Sequence, residues 1–495
     1  MSNLKIGWAE ENITPDKKIK LWGQFFERIS EYVETPVTVT AMAVEACNEQ
    51  MVICACDLVG VDVSLMSRVR ELLAGKADGL NADKIIISAT HTHTSHEYSG
   101  GDVDVLSSLA VLERCLPQGK EYAAKVSADA DVMSPREAFE YIAERVAQAI
   151  KTAWESRSDA YYSNQFGRAA VGMNRRVCYD DGSAKMWGDT NSANFTELES
   201  GNDSGIELLY IFNEAKKLTG VMANIACPSQ VVEHRSFVSS DYWGKVKILL
   251  REKFGSGLYV LGLCAPAGDQ CPRDMIRWQN PETPIDDPNI KREHYIERNA
   301  DPSMFDIAGS WKVGKRIAHE IIDVYDEIKI AELKNRSVFK HECLSVDLPV
   351  RRVTITEYEA AVKTLEDYVS QKSEFTFEDN ARMHVCAGTI ARYDLQQIKD
   401  IHTVELHIIH WDHIAVATSP FELFLDYGNQ IRARSKSRQT FLIQLACGCD
   451  SYLPTRKAEK GGHYSAYVSS GIVGSLGGEL LVRKTVEMLN RENDA

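Results

Sequence analysis

The stretch Lys84-Ile85-Ile86-Ile87-Ser88-Ala89-Thr90-His91-Thr92-His93 decides the fold. Three successive isoleucines make a short β-branched run of the kind that forms a strand buried on both faces. That run passes without a break into alternating threonine and histidine. In extended backbone alternate side chains share a face, so His91 and His93 are expected to look into one site from the end of the strand. Neutral imidazoles on a rigid strand end suit a catalytic metal. The same pair also fits two satisfied polar residues on a solvated strand end.

Outward from this stretch the same theme recurs. Upstream, Val37–Ala46 is β-rich, Gln50–Cys56 is a second apolar run ending at Asp57, and residues 64–75 have helical spacing (Leu65, Val69, Leu72, Leu73) with Ser64 as the expected N-cap. Downstream, Ser134-Pro135-Arg136-Glu137 predicts a capping box with proline in the first turn of a helix over 135–154, whose Ala138, Ile142, Val146 and Ile150 share one face. Leu208–Phe212 and Leu218–Ala226 read as paired strands about a turn at Asn213–Lys217. A helix starts near Asp241, Leu258–Leu263 is another buried strand, and the Pro-, Asp- and Asn-rich residues 278–305 read as a long loop or lid. Helices over 308–330 and 356–371 flank a strand near 342–349. His413–Thr418 is a strand, Ser419–Glu422 a loop and Leu423–Arg434 a helix. This alternation predicts an α/β fold of mixed β-sheets flanked by helices, and no linker divides residues 1–495, so one large domain is expected.

The 495 residues are 44% hydrophobic and 26% charged, with a net charge of −15. That charge disfavours nucleic acid and anionic membranes as partners and points to a small-molecule substrate. No run approaches the roughly 18 apolar residues of a membrane span, and the N-terminus, with two early glutamates, lacks the apolar core of a secretory signal. Twelve cysteines, several inside apolar runs and none in a CxxC pair, read as reduced, buried thiols of a cytoplasmic protein. Oligomeric state is not readable from the sequence.

Four further segments carry candidate chemistry. Asn224–His234 offers Cys227 or His234 as a metal ligand. Ala265-Pro266-Ala267-Gly268-Asp269-Gln270-Cys271 is a loop whose free amides face a substrate and whose Cys271 is a candidate nucleophile. Pro420-Phe421-Glu422 puts a carboxylate at a strand-to-helix turn, as metal ligand or helix cap. Tyr452 and Tyr464, twelve residues apart, lie in loops where a phenol can hold an oxyanion or simply pack.

In this order the segments resemble the catalytic domain of the neutral/alkaline, non-lysosomal ceramidases. The family's THTHSGPGG matches Thr90-His91-Thr92-His93-Thr94-Ser95, its SSDN matches Ser239-Ser240-Asp241-Tyr242, and its AGDVSPN matches Ala267-Gly268-Asp269-Gln270-Cys271-Pro272-Arg273. Its opening ITP segment corresponds to Ile13-Thr14-Pro15, its Asn-Arg segment to Asn174-Arg175, and its PGE and tyrosine loops to Pro420-Phe421-Glu422, Tyr452 and Tyr464. The resemblance implies an amide or related acyl bond cleaved by a metal-bound water, with Zn2+ held by two histidines, a glutamate and a tyrosine. His91, Glu422 and Tyr452 fall on ligand positions. The second family histidine is replaced by Cys227-Pro228, so His234 is expected as the substitute ligand, with Cys227 second. His93, Arg175 and Tyr464 match positions that stabilise the transition state, and Cys271 stands where the family has serine. The chain stops soon after Tyr464, so the family's C-terminal β-sandwich is not expected, and the charged loops favour a small soluble substrate over a lipid. Two other readings stand beside this one: a cysteine-dependent acyl hydrolase using Cys271, and a non-catalytic zinc- or carbohydrate-binding relative.

Overall fold

The Ile85–Ala89 run is an edge strand of an eight-stranded mixed sheet, and its four aliphatic or small neighbours are buried on both faces as the sequence requires. The sheet order is Tyr259–Cys264, Leu218–Ile225, Gly205–Asn213, Ser158–Arg168, Lys5–Asn12, Thr38–Ala46, Glu49–Cys56, Ile85–Ala89. Only the outermost pairings, 218–225 with 259–264 and 49–56 with 85–89, are parallel; the others are antiparallel. The structure, a computed structural model, describes residues 2–101, 108–116, 131–277, 306–372 and 374–491. The loop expected over 278–305 lies outside them.

Helix Pro135–Glu155 forms half of the expected capping box: the Ser134 hydroxyl accepts from Glu137 N, while the Glu137 carboxylate turns to Lys17 (2.8 Å), and Ala138, Ile142, Val146 and Ile150 are buried against the sheet. Helix Val63–Leu73 is capped by Asp62, whose carboxylate accepts from Leu65 N; Ser64, the expected cap, donates its hydroxyl to Asp62 instead. An aspartate two residues earlier competes better for the free amides because it brings charge to the positive end of the helix dipole. Helices Asp241–Phe254 and Asp306–Asp326 cover another face, packing Trp243, Val246, Val313 and Ile317 on Tyr210 and Phe212. Burying each large apolar side chain in this way is worth about 1.5–3 kcal/mol.

A second, four-stranded sheet runs Phe339–Pro349, Ile401–Trp411, Ile414–Thr418, Gln439–Ile443. Its strand 401–411 and the helix Phe377–Leu395 before it were not anticipated. Phe339, Ile409, Trp411 and Phe441 of this sheet share one apolar cluster with Ile53, Ile87 and Leu261 of the first. The cluster is joined by hydrogen bonds at one end. Ala89 N donates to Leu445 O (3.1 Å), Ser88 bridges Ala446, and Gln444 N donates to Cys264 O (3.0 Å). The segment following strand 439–443 thus reaches both edge strands of the large sheet, and their carboxyl ends open beside one another.

Candidate metal centre

The loops leaving these strand ends build the site. Thr90–His93 follows strand 85–89, and Ala265–Cys271 follows strand 259–264. After strand 414–418, Glu422–Leu423 pairs in parallel with Tyr452–Leu453, so Glu422 sits directly beside Tyr452. Gln444 locks the arrangement: its Oε1 accepts from both Ala267 N (3.0 Å) and Leu423 N (3.1 Å). Gly268 donates its N–H to Leu423 O, and any Cβ there would overlap the Glu422 backbone. Asp269 joins two more segments, accepting from Asn174 Nδ2 (2.9 Å) and Leu425 N (2.8 Å), while Arg175 N donates to its carbonyl.

His91 reaches the site by a route the alternation argument did not foresee. Its φ is +67°, so the strand has ended and the ring is swung by left-handed backbone. His91 Nδ1 donates to Val59 O (2.6 Å), which leaves the Nε2 lone pair exposed to Glu422 Oε2 at 3.5 Å and to His93 Nε2 at 3.3 Å. His93 Nε2 must itself be an acceptor. Gln230 Oε1 takes a hydrogen bond from Arg175 (3.1 Å), so the Gln230 amide nitrogen, 2.9 Å from His93 Nε2, donates to it. His93 Nδ1 then carries the ring hydrogen and lies 3.6 Å from Glu233 Oε2. The His91 Nε2 lone pair therefore faces the Glu422 carboxylate with no hydrogen between them, while the His93 Nε2 lone pair is taken by Gln230. Burial, with His91, Arg28 and Arg175 nearby, holds the His93 pKa well below the usual range, so His93 stays neutral.

Arg175, 2% exposed, donates to Gly268 O (3.1 Å) and lies 3.4 Å from the Tyr452 hydroxyl, which contacts the Tyr464 hydroxyl at 3.2 Å. Burial and the Glu422 charge raise both phenols, Tyr464 to about 12 and Tyr452 well above the usual range. Tyr464 is positioned by a residue the sequence reading passed over. Arg176 is fully buried, paired through two hydrogen bonds with Glu199 (2.7 and 3.0 Å), and donates to the carbonyls of Gly462 (2.9 Å) and Tyr464 (3.1 Å). Backbone strain gathers here too: Ser451, His463 and Ser465, the neighbours of the two tyrosines, all have φ between 60° and 71°. Left-handed backbone at such residues costs on the order of 1–3 kcal/mol and persists where the surroundings enforce it.

Of the residues named from sequence, His91, His93, Arg175, Glu422, Tyr452 and Tyr464 come together. His234 does not join them: among the described residues, His91, Glu422 and His234 fail to bring ligand atoms within 4.8 Å of one another, and the same holds with Cys227 in place of His234. Residues 231–234 form a tight turn, anchored where Val232 N donates to Asp241 (3.0 Å), and it directs His234 toward Asp306 at 3.9 Å. Cys227 is packed in the apolar cluster with Tyr242 and Trp243. Instead, Gln230 and Glu233 of that segment reach His93. Cys271 is fully buried, its thiol directed to Arg273 O (3.3 Å), and burial pushes its pKa to about 12 despite Arg175 and Arg273, so it is a protonated thiol at neutral pH.

Tyr464 and Ser451 form one wall of a cavity of about 720 Å³. Trp22, Phe25 and Phe26 supply its apolar lining, with Lys20, Glu27 and Glu97 among its charged groups; Lys20 and Glu27 are paired at 3.0 Å. Gly23, at φ +110°, lies so close to the His93 ring that a Cβ would overlap it. No helix among the described residues is long and apolar enough to cross a membrane.

No family model and no curated protein matches the chain. Solved structures do. The neutral ceramidase from Pseudomonas aeruginosa superposes with a TM-score of 0.68 at 14% identity, covering 100% of this chain and 75% of that one. A ceramidase complexed with C2 superposes with a TM-score of 0.67 at 13% identity, covering 100% and 76%. The chain has the fold of these proteins.

Proposed function

We propose that the chain is a zinc-dependent hydrolase that cleaves the amide, or a related acyl bond, of a small soluble substrate. The observation that carries this is the His91 Nε2 lone pair facing the Glu422 carboxylate at 3.5 Å beside Tyr452, an arrangement that calls for a cation. Tetrahedral zinc, about 2.0–2.2 Å from nitrogen and oxygen ligands, fits the 3.5 Å separation of the His91 and Glu422 donors. His91, Glu422 and Tyr452 would hold it, three protein ligands leaving one position open, as catalytic zinc sites require. Bound there, zinc would supply Lewis acidity and a nucleophile from water at neutral pH. The fold shared with ceramidase structures agrees with this reading.

The chain's own residues do the rest. Arg175, always charged, and the Tyr464 hydroxyl donate toward the oxygen that becomes negative as the carbonyl is attacked. His93 is kept neutral by burial and oriented by Gln230 and Glu233, so it is free to take a proton and return it to the leaving amine. The aromatic side of the cavity accepts an acyl group, and its Lys20, Glu27 and Glu97 groups accept a polar amine portion. N-acyl amino compounds are the substrate class that fits both. Net charge of −15 sets nucleic acid aside as a partner, and twelve free thiols fit a reducing cytoplasm.

A panel of N-acyl amino compounds, assayed before and after chelation, tests the proposal. Activity should vanish with the metal and return with added zinc. Cys271→Ala should keep substantial activity and His234→Ala should keep its metal. An inactive Cys271→Ala with zinc and fold intact would transfer the chemistry to the thiol.

A further inference from the structure

A second group of donors lies on the four-stranded sheet, away from the cavity. Strands 339–349 and 401–411 pair in antiparallel register with Cys343 opposite His407. Glu405 precedes His407 by two residues and so projects from the same face. Ligand atoms of Cys343, Glu405 and His407 all lie within 4.8 Å of one another.

The hydrogen bonds around them dictate where the protons are. His341 Nδ1 meets the Gln50 carbonyl at 2.8 Å and must donate to it, which leaves His341 Nε2 as an acceptor. His407 Nδ1, 2.9 Å away, therefore donates to His341. The relay ends at His407 Nε2, whose lone pair points at Glu405 Oε1, 3.0 Å distant. Arg70 holds that carboxylate through two hydrogen bonds, to Oε1 (2.7 Å) and Oε2 (3.1 Å), and keeps it ionised and oriented. A lone pair thus faces a carboxylate across a hydrogen-bond distance, with a thiol alongside. A proton on His407 would satisfy the nitrogen and the carboxylate and leave the sulfur without a part. A metal ion uses all three.

We propose that Cys343, Glu405 and His407 bind a second divalent transition-metal ion of the zinc type, as a structural site that fastens the four-stranded sheet to the large one. Nitrogen, sulfur and carboxylate oxygen are the ligand types zinc takes in tetrahedral sites, and their mutual spacing suits bond lengths of about 2.0–2.3 Å. Glu405 is 28% exposed, so water completes the fourth position. The partners that orient the ligands come from the other sheet: Gln50 lies on strand 49–56, and Arg70 on the helix that follows it. Supports of this kind fix the tautomer and ring direction of metal-bound histidine.

This site stands apart from the proposed catalytic one, and cobalt(II) separates them, because only the second contains a thiolate. The full-length protein, stripped of metal and titrated with cobalt(II), should bind two equivalents and show a sulfur-to-cobalt charge-transfer band in the near ultraviolet. Glu422→Ala should lose one equivalent and keep the band. Cys343→Ser should lose one equivalent and the band, and His407→Gln should weaken binding at that site at least tenfold, with both variants retaining the native circular dichroism spectrum. A band that persists undiminished in Cys343→Ser, or wild-type stoichiometry in both Cys343→Ser and His407→Gln, would overturn the second site. Unchanged stoichiometry in Glu422→Ala alone would count against the catalytic site and leave this one standing.

Discussion

The two donor clusters solve the same electrostatic problem with opposite architectures. At the cavity, His91 and His93 arrive on one loop beyond a strand end and Glu422 and Tyr452 on two short paired strands, and one of the four sits in left-handed backbone. On the small sheet, Cys343, Glu405 and His407 project from adjacent strands in unbroken register. A regular ladder presents ligands without strain. Loops cost conformational energy and give access. On the proposals above, the difference would separate a centre that must admit a substrate from one that only has to hold.

The largest expected effect breaks this comparison outright. His91→Ala should lower kcat/KM on the order of 10³-fold or more, because it removes the ligand toward which Glu422 and His93 converge. Cys343→Ser should stay within about twofold of wild type on the same substrate. Equal losses from the two would show that the clusters do not divide function and structure between them. Next in size, Tyr464→Phe should cost roughly 10²–10³ in kcat with little change in KM, the signature of a donor used only in the transition state. A change confined to KM would make Tyr464 a binding wall.

Gly23→Ala tests how tightly the loop site is packed. The residue is at φ +110° and its new methyl would overlap the His93 ring, so a loss of about 1–3 kcal/mol is expected from chemical unfolding. Turnover should fall with it, whereas cobalt binding at the ladder site should not move. The smallest effect is acid sensitivity. Burial lowers the pKa values of His93 and, to about 4, of His384 and His463, and to about 3 of His96 and His341. An unfolded histidine ionises near pH 6.5, so below that the unfolded chain binds more protons; stability is whole above pH 6.5 and falls as pH drops toward 4. Asp241 and Asp269, raised by burial to about 7 and about 6, act with the opposite sign over part of that range. Burial also lowers His234 and His407 and raises Asp57, Glu97 and Glu207; the seven histidines outnumber the five carboxyls, and the melting temperature should be several degrees lower at pH 5 than at pH 7. His341→Gln should blunt the drop, since it removes one histidine from the ladder side.

Much of the framework was legible because it rests on local pattern. The isoleucine run, the Ser134 cap and the hairpin about residues 213–217 each encode their geometry within a few residues. Strand 401–411 also carried a signal, with His402, Val404, Leu406 and Ile408 alternating inward, but its histidines and glutamate masked the period. Among the site residues, His91, Glu422 and Tyr452 could be named from their types and neighbours. Gln230 and Arg176 could not. An amide acquires its role only when Arg175 fixes its orientation, and a buried arginine only when Glu199 and the 462–465 carbonyls surround it. The ladder cluster was further out of reach, because it depends on a register between strands whose paired residues, Cys343 and His407, lie far apart in the chain.

The left-handed backbone at His91, Ser451, His463 and Ser465 also has a consequence for mutational supply. At such positions the side chain is chosen partly by what its own Cα tolerates: glycine, asparagine and aspartate enter readily, whereas valine, isoleucine and threonine meet their own backbone. A saturation library at Ser451 or Ser465 would therefore be filtered before any chemistry is assayed, and the survivors would be few and small. Buried aliphatic positions in the strands face a broader choice, since hydrophobic residues of similar volume interchange there. The site's geometry is then remembered less by the identity of its side chains than by a handful of backbone angles that restrict what drift can deliver beside them.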